Sequence, residues 1–121
     1  MKTILIIDDE KSIQKYTQTV LEREGFRVIA ANDGKKGFEL AKQNVPDLVI
    51  CDIVMPEVNG YQTLRMFKAD PALANVRWVF LTGSPNISGL ANSMELGMED
   101  FIPKPFSLSK LLAVISAKFQ Q

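Results

Sequence analysis

Five short apolar runs, at about residues 3–7, 26–30, 47–51, 77–81 and 100–103, alternate with amphipathic stretches at about 10–24, 34–44, 58–68, 86–96 and 107–119. Strands that alternate with helix-length connections have to lie parallel, because only a crossover returns the chain to the same end of the sheet. Past a polar residue at or near the start of each, the runs are continuously apolar rather than alternating, which implies that both faces of that sheet are covered. The pattern predicts an α/β fold: a doubly wound (βα)5 unit with a five-stranded parallel sheet, most commonly ordered 2-1-3-4-5. No Gly/Ser linker or charge block divides the 121 residues, which predicts a single domain over 1–121.

Four of the runs stop on groups suited to phosphate or metal chemistry. Ile4-Leu5-Ile6-Ile7 ends on Asp8-Asp9, Leu48-Val49-Ile50-Cys51 on Asp52, Trp78-Val79-Phe80-Leu81 on Thr82, and Phe101-Ile102-Pro103 on Lys104. In an open parallel sheet these ends meet in one crevice, at the point where the strand order reverses. Carboxylates crowded there repel one another, and they either share protons or hold a hard cation, for which Mg²⁺ suits oxygen ligands and phosphate. Asp52 could then attack a phosphoryl group in line, with Lys104 neutralising its oxygens and Thr82 donating a hydrogen bond. Each residue also has a plain structural role open to it. Asp8 and Asp9 could cap the first helix, Asp52 could serve a turn, Thr82-Gly83 could begin a loop and Lys104 could be a solvated charge. Together, however, all four strand ends carry the right chemistry, which separate structural roles would match only by coincidence.

Composition narrows the field. Lys+Arg and Asp+Glu both number 14, so no global basic field gathers nucleic acid or an anionic membrane, and partners must be met through a local surface. There is no histidine, so a phosphoryl group carried covalently must sit on oxygen, most plausibly a carboxylate. The lone Cys51 lies within an apolar run and reads as a small buried hydrophobe. The apolar stretch before Asp8 is too short for a signal peptide or a spanning helix, which predicts a cytoplasmic protein without a membrane partner.

Local signals place the helices. Ile13, Val20 and Leu21 mark a core face ended at Glu24-Gly25, Asp33-Gly34 and Ser107 look like helix starts, and Asn59-Gly60 lies close to the third. The stretch 86–96 is poor in helix formers and carries no charge before Glu95, so it is expected to be the least self-sufficient.

Ile6-Ile7-Asp8-Asp9-Glu10, Asp47 through Pro56, Leu81-Thr82-Gly83 and Asp100 through Phe106 together resemble the response-regulator receiver domain of two-component signalling, the CheY-like superfamily with its flavodoxin-like fold. The resemblance spans the whole chain. Receivers are among the proteins from which the 2-1-3-4-5 order is known, so that order is not an independent expectation. The resemblance implies that Asp52 is the phosphoacceptor and that Asp8 and Asp9 bind Mg²⁺, one of them partly through water. It implies that the Val54 backbone carbonyl is a further ligand, that Thr82 and Lys104 hold the phosphoryl group, and that the Lys104-Pro105 bond is cis. Phe101 takes the position of an aromatic switch residue, here without the tyrosine hydroxyl common there; it reads equally as a core residue.

Several positions depart from the family pattern. Gly83 stands where alanine is frequent and loosens the backbone, and Asn59 stands where an aspartate is usual. Arg77-Trp78 opens the fourth strand where proline and an aliphatic residue are commoner, with Trp78 expected to pack. Val54 and Ser84 flank the acceptor and the threonine, where they would tune the access of water. No arginine follows Arg77, which weakens a dimerising transcription-factor reading.

The expected function is a phospho-aspartate switch. A histidine kinase or phosphotransfer protein phosphorylates it, and the surface around residues 86–106, formed by the fourth and fifth helical stretches and the fifth strand, signals to an output protein or a fused effector domain. No recognition helix or basic patch is visible, so no direct nucleic-acid contact is expected. Enzymatic work is limited to its own phosphoryl transfer and slow autodephosphorylation. The alternatives are a Mg²⁺-dependent phosphohydrolase, for which Asp52-Ile53-Val54 lacks a second acid, and a non-phosphorylated binding module.

Overall fold

The computed structural model describes residues 1–83 and 96–120. Strands β1 (Thr3–Ile7), β2 (Arg27–Ala31), β3 (Leu48–Asp52), β4 (Arg77–Thr82) and β5 (Phe101–Pro103) form one parallel sheet in the order β2-β1-β3-β4-β5. Helices α1 (Lys11–Arg23), α2 (Gly34–Gln43), α3 (Gly60–Ala69) and, at the C-terminal end, α4 (Leu108–Phe119) are the four α-helices among the described residues. Except for Leu96, the predicted stretch 86–96 lies outside them, as does Ser84.

Side chains alternate across each strand, so the sheet sorts one apolar sequence into two cores. Leu5, Ile7, Val49, Cys51, Trp78, Phe80 and Phe101 face α2 and α3, meeting Ala41, Tyr61, Leu64 and Phe67. Ile4, Ile6, Leu48, Ile50, Val79, Leu81 and Ile102 face α1 and α4, meeting Val20, Leu21, Leu111 and Ile115. Four consecutive residues of β1 and all five of β3 are buried, which is why neither strand shows polar alternation. Trp78 is buried with its ring edge-on to Phe67 and Phe80, so it packs as expected. Cys51 is also in the core, where burial pushes its thiol pKa up and leaves it an inert hydrophobe.

Helix boundaries follow local chemistry. Gly25, at φ 95°, lets the chain turn left-handed after α1 at no steric cost. The Asp33 carboxylate accepts from the Lys36 amide to cap α2, and the Ser107 hydroxyl accepts from Lys110 to cap α4. Asn59 forms a full capping box with Gln62: its Oδ1 accepts the Gln62 N–H at 2.9 Å, and Gln62 Oε1 accepts the Asn59 N–H at 2.8 Å. Three runs begin one residue later than their pattern suggests. Asp47 precedes β3, where its carboxylate accepts from the Thr3 N–H at 2.7 Å. Phe26 precedes β2 and stacks on Phe119, and Asp100 belongs to a 3₁₀ turn (Met98–Asp100) where it pairs with buried Lys118.

Gly60 lets α3 approach the backbone at the end of β3 closely. A Cβ at this position would stand 2.4 Å from the Asp52 carbonyl oxygen and 2.8 Å from the Ile53 Cα. Both are backbone atoms and cannot rotate away. Gly60→Ala is expected to cost about 2 kcal/mol in urea unfolding, by pushing α3 off the end of β3.

Candidate functional site

The strand ends come together as the sheet order requires. Asp8 follows β1 and is fully buried, Asp52 closes β3 and is 5 % exposed, Thr82 closes β4 and is buried, and Lys104 follows β5. Lys104 Nζ lies 3.2 Å from Asp8 Oδ2, 3.4 Å from Asp52 Oδ2 and 3.5 Å from Glu10 Oε1. One ammonium therefore faces three carboxylates. Lys104 is held in place by its own backbone, whose N–H donates to the Thr82 carbonyl at 2.7 Å, and the Lys104–Pro105 bond is cis.

Asp8 does not cap α1 in the usual way. Glu10 occupies the N-cap position and its side chain makes no cap hydrogen bond, while Asp8 Oδ1 accepts the Glu10 N–H at 2.9 Å. That bond turns the chain just past β1. Oxygens of Asp8, Glu10 and Asp52 all lie within 4.8 Å of one another, a set suited to a hard cation. Glu10 is thus the acid that strand-end reasoning missed: it lies beyond the strand end, and only the turn into α1 returns it to the site. Asp9 is exposed and lines the same cleft, about 410 Å³ in volume, together with Glu10, Asp52, Val54, Gly83 and Lys104.

Electrostatics follow from crowding in a dry place. Burial, more than any neighbour, raises the Asp52 and Asp8 carboxyls above the ordinary carboxylate range, although Lys104 pulls both down. Burial opposes the charge on Lys104, but Asp8 and Asp52 outweigh it and raise its pKa. The site carries more negative charge than its single ammonium balances, and a divalent cation with oxygen preference fits it.

Residues 4–116 match the response regulator receiver domain family. The chain belongs to that family. Among curated relatives, it is 38% identical over 114 residues to a "Probable transcriptional regulator ycf27" from Guillardia theta, covering 94% of this chain and 44% of that protein. The chain thus spans about half the length of the curated relatives it matches. A response regulator receiver domain from Clostridium thermocellum superposes with a TM-score of 0.86 at 27% identity, covering 99% of this chain and 95% of that one. The receiver of the sensor histidine kinase PA1611 from Pseudomonas aeruginosa, described with a magnesium ion in its active-site cleft, matches with a TM-score of 0.87 at 24% identity, covering 99% of this chain and 98% of that one. Receivers of this family are phosphorylation-dependent switches in two-component signalling.

The remaining expected positions sit at the rim of the receiver cleft or just behind it. Val54 lines the cleft and is 73% exposed. The loop behind it is tight. Val58 N–H donates to the Pro56 carbonyl at 2.8 Å across Glu57, whose φ of 66° is left-handed and costly for a residue with a Cβ. Phe101 is buried and stacks on Phe80, with centroids 5.5 Å apart. Gly83 is exposed, and nothing lies within 4 Å of a Cβ built there. Gly83→Ala is accordingly expected to raise unfolding free energy by about 0.5 kcal/mol through loss of unfolded-chain freedom, measured by urea denaturation. No helix among the described residues is long and apolar enough to cross a membrane.

Proposed function

We propose that Asp52 is the phosphoacceptor of this receiver. The observation that carries the reading is the position of Lys104 Nζ between Asp52, Asp8 and Glu10, which places a fixed cation beside the one buried carboxylate that closes the central strand β3. An Asp52 oxygen forms the bond to phosphorus as the P–N bond of a phosphohistidine donor, or the P–O bond of acetyl phosphate, breaks. The product is an acyl phosphate on Asp52. Lys104 neutralises the phosphoryl oxygens as charge builds on them, and Thr82 offers a hydroxyl from the end of β4. Asp8, Glu10 and Asp52 would hold Mg²⁺, with Asp9 at the rim and the Val54 carbonyl as a further donor. When bound, the metal supplies neutralisation of the acidic cluster and of the incoming phosphate.

The donor is a histidine kinase or phosphotransfer protein, and output passes to a partner protein or a fused effector domain. The ycf27 relative, named a probable transcriptional regulator, supports the fused-effector form. Phe101 links site to surface: it is buried against Phe80, and a Thr82 drawn toward the phosphoryl group changes the packing in front of it. Loss of the phosphoryl group occurs by slow attack of water within the same cleft. External phosphate esters are poor substrates on this reading, because exposed Val54 stands where a general acid would be needed.

Intact-mass spectrometry after incubation with acetyl phosphate and Mg²⁺ tests the proposal. One phosphoryl addition is expected, and it should vanish when a chelator is present. Unmodified mass in well-folded protein, with acetyl phosphate and with a phosphohistidine donor alike, would overturn it.

A further inference from the structure

A second cleft, of about 530 Å³, lies away from the acidic site, where α1 and α2 flank the edge strand β2. Lys11, Gln14, Lys15 and Gln18 of α1 line it at i, i+3, i+4 and i+7, so one face of that helix forms a wall. Lys36 of α2 also lines it, and apolar Ala30, Ala31 and Leu40 with polar Asn32 complete the lining.

Lys11, Lys15 and Lys36 form no ion pair among the described residues. Three acids close to them in sequence are engaged elsewhere. The Asp33 carboxylate accepts from the Lys36 backbone amide, Glu10 faces Lys104, and Glu22 accepts from Gln18. Three positive charges thus share one concavity in a chain whose net charge is zero. The α1 wall is fixed, because Gln14 Nε2 donates at 3.1 Å both to the Asp8 carbonyl and to the Ala31 carbonyl. Its volume lies within the range of small-molecule sites, and its charges are gathered in a hollow rather than laid out along a stripe as for a nucleic acid.

We propose that this cleft binds a small organic molecule carrying two or more phosphate groups, of the nucleoside diphosphate type. The lysines take the phosphates, and the surface of Ala30, Ala31 and Leu40 takes the organic body. Bidentate geometry is not required of lysine, which binds phosphate as a point charge.

The test is a ¹⁵N NMR titration of the protein with ADP, in EDTA and at low salt. The chelator prevents metal-bridged phosphate at Asp52, so the outcome does not depend on the phosphoryl-transfer reading. Saturable shifts are expected at the Ala31 and Asn32 amides and at the Gln14 side-chain NH₂. Lys15→Ala/Lys36→Ala should weaken binding by about tenfold or more, whereas Lys35→Ala, which removes an exposed lysine outside the cleft, should change it by less than about twofold. Pyrophosphate and adenosine should each bind more weakly than ADP. The proposal is overturned by absence of saturable shifts at these positions or by shifts unchanged in the double variant. It is equally overturned if the same lysines bind phosphatidylglycerol vesicles while ADP produces no effect.

Discussion

Lys104→Met is expected to slow phosphoryl uptake from acetyl phosphate by about 10²–10³-fold and, in metal-free buffer at pH 7, to destabilise the fold by about 3 kcal/mol. The two effects share one cause. Methionine preserves much of the side chain's apolar length but removes the ammonium that, alone among the described residues, pairs with Asp8, Glu10 and Asp52, leaving the buried Asp8 and Asp52 carboxylates uncompensated. The loss should shrink as pH falls through the raised titration range of Asp8 and Asp52, since protonation discharges the same groups. It should also shrink when millimolar Mg²⁺ is added, because a cation that binds only the folded cluster stabilises by mass action. Urea unfolding at neutral and acidic pH, with and without Mg²⁺, measures both. A Lys104→Met protein as stable as wild type at pH 7 without metal would mean that the ion pairs contribute nothing.

Asp52→Asn is expected to act in opposite directions on chemistry and stability. Phosphoryl incorporation should fall below detection in intact-mass spectra, since an amide is no nucleophile for phosphorus. Stability at neutral pH should rise by about 1 kcal/mol, seen as a melting temperature about 3–5 °C higher, because one member of a crowded acidic set becomes neutral. The pH dependence follows from the raised Asp52 and Asp8 carboxyls. Between the ordinary aspartate pKa and the raised values, the folded chain binds more protons than the unfolded chain. These two groups therefore add stability as pH falls through that window and subtract it as pH rises. Asp52→Asn should flatten the slope of unfolding free energy against pH in that window. An unchanged slope would assign the wild-type slope to other groups.

The physical reason the fold was legible is that burial on both faces leaves long apolar strands, while Asp33, Asn59 and Ser107 each mark a helix start by capping it. The convergence of Asp8, Asp52 and Lys104 follows from parallel strands together with the 2-1-3-4-5 order, which sets β1 beside β3. Glu10 did not follow, because its position depends on a single hydrogen bond from its amide to Asp8 and on the direction in which α1 leaves the sheet. Asp9 shows the complementary difficulty: neighbouring residues in a turn point apart, and sequence adjacency to Asp8 brings it to the rim while Glu10 joins the close-packed oxygens. Asp100 adjoins the apolar Phe101-Ile102 and so looks like part of a strand, yet its carboxylate accepts from the Gly97 N–H and pairs with Lys118, contacts that close a turn and that no local pattern encodes. The stretch 86–96, read as the weakest helix, lies outside the described residues except for Leu96.

Chemistry specific to acyl phosphates locates the phosphoryl group and so tests Asp52 as its acceptor. Borohydride reduces an aspartyl phosphate to homoserine, and peptide mass mapping then reads the position. After acetyl phosphate and Mg²⁺, homoserine is expected at residue 52 and at no other aspartate. Homoserine at Asp8 or Asp9, or a phosphoryl group that survives borohydride because it sits on a hydroxyl, would contradict the account.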